Sequence, residues 1–121
     1  MTTANEHLPE QLLALVAGRF RLLGDPTRLK LILAVREAEL TVSDIAQAAG
    51  TSQANASKHL TALHEAGMVA RRREGGSVLY QASGRVPYLL IDAVCTSLDA
   101  QAREREALLA SAQQQGGRNA A

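Results

Sequence analysis

The chain has 121 residues, 46% of them hydrophobic and 21% charged, with a formal net charge of +1; these values suit one folded domain and exclude wholesale disorder, a collagen-like repeat and a disulfide-stapled miniprotein. Ala and Leu supply 40 of the hydrophobic residues, and only Phe20, Tyr80 and Tyr88 are aromatic, so helices are favoured over a β-sandwich. One cysteine, Cys95, closes no disulfide within the chain. No apolar run approaches the roughly 18 to 20 residues of a membrane span, and the N-terminus lacks a basic start followed by an apolar core, so a soluble, cytoplasmic protein is expected.

Residues 1–7 read as a flexible N-terminus and residues 8–112 as the domain. From Leu8 to Leu23 the apolar positions Leu8, Leu12, Leu15, Val16, Phe20 and Leu23 follow the spacing of an amphipathic helix. Gly24-Asp25-Pro26 breaks it; Asp25 suits a cap and Pro26 a first turn. The second helix, about Pro26 to Glu37, carries Leu29, Leu31, Ile32, Leu33 and Val35 around most of its circumference, the pattern of a buried helix. A two-turn helix follows, with Thr41 and Asp44 resembling a capping box, Val42, Ile45, Ala46 and Ala49 facing inward, and Gly50 as a left-handed stop. Ser52 then caps a helix from Gln53 to about Ala66. Its inward stripe is Ala56, Leu60 and Leu63, and its outward side carries Gln53, Asn55, Ser57, Lys58 and Thr61.

Two short helices around a glycine turn suggest a helix-turn-helix. The second has no carboxylate before Glu65, whereas an ordinary surface helix mixes Glu with Lys. A carboxylate there would repel phosphate, so its absence fits a helix that enters a groove of duplex DNA. Charge agrees: residues 51–85 hold five basic against two acidic side chains, while the flanking segments each sum to −1. Arg71-Arg72-Arg73 precede Gly75-Gly76, and Val78 and Tyr80 follow. That is the signal of a two-residue hairpin, read here as a basic wing and otherwise as a solvated edge strand.

The last helix runs from about Arg85 to Ala112, with Val86, Leu89, Leu90, Ala93, Val94 and Leu98 as its apolar stripe. At about 40 Å it exceeds what a small winged domain covers, and its surplus apolar face, with that of the first helix, calls for another chain. The Gln-, Gly- and Ala-rich residues 113–121 read as a disordered tail.

Three stretches together resemble the ArsR/SmtB family of bacterial winged-helix repressors: Leu22 to Leu29 at the start of the second helix, Ser52 to Val69 across the recognition helix and its exit, and Arg72 to Tyr80 at the wing. The resemblance implies a mainly α winged helix-turn-helix of four helices, a β-hairpin and a fifth helix, dimerising through the first and last helices. It further implies an effector-released repressor that binds double-stranded DNA. The family's sensing positions differ here. Thr41 and Ser43 stand where arsenic-type members place cysteines, and the last helix has Asp92 but no His where zinc-type members use Asp with His. No metal ligand set and no cofactor are therefore assigned, and no effector is identified. His59 reads as a packed or phosphate-near residue. Cys95 is read either as a small apolar residue at the dimer seam or as a thiol sensor; the second helix has no cysteine to pair with it.

The expected DNA-binding residues are Thr51, Ser52, Gln53, Asn55, Ser57, Lys58, Thr61, Arg71, Arg72 and Arg73. Gln53, Asn55 and Ser57 suit base edges, the two amides because they pair bidentately with adenine. Thr51, Lys58 and the arginines suit phosphates or, at the wing, the minor groove of a near-palindromic operator bound by a homodimer. A non-specific architectural DNA-coating protein and a protein–protein adaptor are the rival readings. Neither a Gly-rich phosphate loop nor a recognisable pair of catalytic carboxylates is present, so no enzymatic role is expected.

Overall fold

The computed structural model describes residues 8–119; the expected flexible segment 1–7 lies outside them. In chain order the elements are α1 (Glu10–Leu23), α2 (Pro26–Ala34), β1 (Leu40–Thr41), α3 (Val42–Ala49), α4 (Gln53–Glu65), β2 (Val69–Glu74), β3 (Ser77–Ala82) and α5 (Val86–Asn119). Two compact units result, one ending at Pro87 and the other beginning at Tyr88.

In the first unit, α1 packs on α2, and α2 packs on both α3 and α4. The core joins Leu31, Ile32 and Val35 to Ile45, Ala46 and Ala49 of α3, to Ala56, Leu60 and Leu63 of α4, and to Val69 and Tyr80 of the hairpin. Removing each large side chain from water contributes about 1.5–3 kcal/mol. Leu33 was expected in this core but is 44% exposed. It sits about 200° round the helix from Leu31, on the far side from Leu31, Ile32 and Val35. The second helix also ends earlier than expected, at Ala34 with Val35 as its C-cap.

The sheet has three strands in the order β1-β3-β2, all antiparallel. Its hairpin is the expected one: Glu74 pairs with Ser77 and Val69 with Ala82 across the Gly75-Gly76 loop. Gly75 has φ +61° and Gly76 is not among the positive-φ glycines, the sign pattern of a type II′ turn. β1 was not expected. It adds Leu40 opposite Tyr80 and Thr41 opposite Leu79.

α5 spans 34 residues, about 51 Å of helix at 1.5 Å per residue. Asp99 and Arg103 pair along its surface at 3.1 Å. The expected disordered tail is corrected over 113–119, which continue the helix; residues 120–121 lie outside the described residues. Gln113 to Gln115 are good helix formers with no proline or β-branched neighbour. Extending an existing helix also avoids the cost of nucleating one.

Candidate nucleic-acid interface

Local hydrogen bonds place α4 where its outer face is free. The Asp44 N–H donates to Thr41 Oγ1 (3.2 Å) and starts α3. Gly50, at φ +68°, ends it in a conformation that costs other residues about 1–2 kcal/mol. The Gly50 N–H reaches the Gln47 carbonyl and the Thr51 N–H reaches the Ala46 carbonyl (3.2 and 3.0 Å), a Schellman motif. Two residues later the Asn55 N–H donates to Ser52 Oγ (3.1 Å) and starts α4. Because Ala56, Leu60 and Leu63 are fully buried, the rotation of α4 about its axis is settled. Gln53, Ser57, Lys58 and Thr61 then lie on the exposed side.

Not every expected contact residue is equally available. Asn55 is half-buried, and its Nδ2 donates to Thr51 Oγ1 at 2.8 Å. This couples Thr51 and Asn55 to each other, bracing the turn before α4. Thr61 Oγ1 donates to the Ser57 carbonyl (2.9 Å). Gln53 and Lys58 have no side-chain partner among the described residues.

The wing separates its three arginines. Cross-strand partners share a face and successive residues alternate. Arg71 opposite Tyr80 and Arg73 opposite Val78 therefore lie on the core-bearing face, at the end where the core runs out. Arg72, opposite Leu79, projects from the other face. Its Nε and Nη2 donate to the two Glu39 carboxylate oxygens (2.8 and 2.6 Å), and Nη2 also meets Glu74 at 3.2 Å. The hydrogen bond to Glu39 raises the Arg72 pKa further. Arg71 and Arg73 have no such partner among the described residues. A groove of about 400 Å³ separates α4 from the wing, with Ser57 and Thr61 on one wall and the arginines on the other.

Two side chains behind this surface were given no role from the sequence alone. Arg28, on α2, donates from Nε to the Leu22 carbonyl (2.7 Å) and from Nη2 to the Arg21 carbonyl (3.3 Å), while its Nη1 meets His59 Nδ1 at 3.3 Å. Its N–H donates to Asp25 Oδ2 (2.9 Å), which caps α2. His59 is half-buried. Glu39 also went unread, since nothing in the sequence signals the strand that follows it. An arginine three residues after a capping Asp-Pro was a usable signal for Arg28.

Residues 25–71 match the family described as bacterial regulatory protein, arsR family. Over 88 residues the chain is 34% identical to the HTH-type transcriptional regulator KmtR of Mycobacterium tuberculosis, covering 72% of this chain and 68% of that one. The chain belongs to the ArsR family. It is 40% identical to a probable mercury resistance operon repressor of Streptomyces lividans, over 66% of this chain and 65% of that protein. Across the curated relatives matched, the chain spans about half to two thirds of their length. Among solved structures, it superposes with TM-score 0.69 and 28% identity on a homodimeric winged helix-turn-helix DNA-binding domain from Mycobacterium bovis, covering 82% of this chain and 94% of that one. ArsR-family membership makes it a transcriptional regulator with a winged helix-turn-helix for DNA.

Some ArsR-family relatives are named for mercury, arsenic or cadmium resistance. Among the described residues of this chain, no three His, Cys, Asp or Glu side chains converge as a metal-binding group. Cys95 is a free, exposed thiol on α5. No described helix is long and apolar enough to cross a membrane.

Proposed function

We propose that the protein is a homodimeric repressor that reads a near-palindromic operator and releases it when an effector binds. The observation that carries this reading is the exposed face of α4, free of carboxylates before Glu65, beside a groove lined by Arg71, Arg72 and Arg73. Gln53 and Ser57 face base edges in the major groove, while Thr51, Ser52, Lys58 and Thr61 hold the adjoining phosphates. Asn55 supports Thr51 and presents its remaining amide oxygen.

Dimerisation is supported by apolar surface that a single chain leaves in water. α1 has no buried residue, and Leu15 and Phe20 are 60% and 56% exposed. On α5, Leu89, Val94 and Leu98 are exposed as well. Strips of this kind mark protein interfaces, and a second copy seated on both helices would cover them. It would also set two recognition helices about 34–36 Å apart, one turn of duplex.

Release needs a coupling of about 1–3 kcal/mol between effector and operator. Footprinting on the protein's own promoter, with reduced, persulfidated and metal-treated protein, tests the proposal. A protected near-palindrome is expected, against weak binding to random DNA. Loss of protection on persulfidation would make Cys95 the sensor, and an unchanged footprint would direct the search to an organic ligand. Equal affinity for promoter and random DNA would refute the repressor reading.

A further inference from the structure

We infer that Arg28 is a positioning residue that locks the recognition helix α4 to the C-terminal end of α1, and so fixes where each α4 stands in the dimer. The inference rests on the dimeric reading above. One guanidinium serves three acceptors on two other elements: the Leu22 and Arg21 carbonyls of α1, and His59 Nδ1 of α4. The two carbonyls belong to the last turn of α1, where the helix dipole favours a cation; the Arg21 carbonyl also accepts the Gly24 N–H at 3.2 Å. Capping of α1 alone would need no more than these two bonds. The third reaches across to the middle of α4, next in sequence to Lys58.

Arginine has donors and no acceptor, so a hydrogen bond in this contact runs from the guanidinium to Nδ1. The fork is also specific to arginine. A lysine ammonium is a point donor on a flexible stem and cannot hold three acceptors in fixed directions. Asp25 completes the junction by accepting the Arg28 N–H, which fixes the backbone from which the side chain departs. α1 is one of the two helices whose apolar side chains lack cover in one chain, and α4 is the proposed reading element. Arg28 stands between them, on the helix that packs against both. A displacement of α1 at the dimer interface therefore reaches α4 through this guanidinium.

The test uses the full chain and duplexes bearing its footprinted operator, with the spacer between half-sites kept, lengthened or shortened by one base pair. Wild type is expected to discriminate among spacers strongly. Arg28→Lys and His59→Leu are each expected to reduce that discrimination at least about fivefold, the low end of coupling between linked sites, with random-DNA affinity and salt slope unchanged. His59→Asn keeps an acceptor near the Nδ1 position and is expected to restore the wild-type pattern. The double variant Arg28→Lys/His59→Leu should be no worse than Arg28→Lys alone, as for two members of one contact.

Folded Arg28→Lys and His59→Leu proteins with wild-type spacer discrimination would overturn the inference. So would a uniform loss on all DNA with a flatter salt slope, which would make Arg28 a phosphate contact. If Arg28→Lys does not fold, the comparison of His59→Leu with His59→Asn decides. A wild-type protein indifferent to spacing would refute the dimeric reading first and this inference with it.

Discussion

Three adjacent arginines should not contribute equally to DNA binding. Arg72 is bound by both Glu39 oxygens and touched by Glu74, whereas Arg71 and Arg73 project from the other face of the hairpin. Each phosphate neutralised contributes a slope of about 0.9 in log affinity against log salt, so losing one contact per subunit removes about 1.8 in a dimer. Between 50 and 200 mM salt that difference amounts to roughly tenfold. Arg71→Ala and Arg73→Ala should each flatten the salt dependence by about this amount, and Arg72→Ala should leave it near wild type. Glu39→Gln should steepen it, because a freed guanidinium becomes available to phosphate. Fluorescence anisotropy with a labelled duplex at four or more salt concentrations measures the slopes. If Arg72→Ala flattens the slope as much as its neighbours and Glu39→Gln changes nothing, Arg72 leaves Glu39 for the duplex and the assignment is wrong.

Other substitutions probe the remaining parts of the argument. Gln53→Ala should shift sequence preference, costing about 1–3 kcal/mol on the cognate site and little on random DNA; equal losses on both, in competition binding, would remove its reading role. Leu60→Ala, at a side chain with no exposure, should cost about 2–5 kcal/mol in urea unfolding. Asp25 supplies a pH dependence. The hydrogen bond from the Arg28 N–H, aided by the Arg28 charge, holds its carboxyl below the ordinary 3.8, so its stabilising contribution is present at neutral pH and is lost as pH falls below that value. Asp25→Asn keeps a cap without a titrating group, so its stability deficit in urea should narrow as acid is added; a deficit constant down to pH about 3 would contradict the assignment.

Local chemistry made the helix-turn-helix legible. Thr41, Gly50 and Ser52 act on residues within five positions of themselves, so their roles show in the sequence without knowledge of the fold. The Gly75-Gly76 hairpin is local in the same sense. Glu39 and Arg72, by contrast, lie 33 residues apart and meet only because β1 joins the far edge of β3. A strand of two residues has no periodicity to detect, so the sheet that brings them together was invisible. The Arg71-Arg72-Arg73 run read as one basic block because its alternation depends on register. Arg28 and His59, 31 residues apart, meet through helix packing, which amphipathic spacing forecasts only as a buried stripe.

The supply of charge explains why a second copy matters to the chemistry as well as to the apolar strips. With Arg72 held by Glu39, the cations among the proposed contact residues that one chain would turn toward a duplex are Lys58, Arg71 and Arg73. Three phosphate contacts give a salt slope of only about 2.7, while six bring a dimer to the lower end of the range for site-specific DNA-binding proteins. The net charge of +1 adds little long-range attraction. A lone chain would thus hold DNA weakly and indifferently, and doubling the contacts raises affinity only if both helices reach their grooves together. In the inferred arrangement that condition depends in part on the angle between α1 and α4, which would make the Arg28 junction between them matter to affinity alongside the residues touching the duplex.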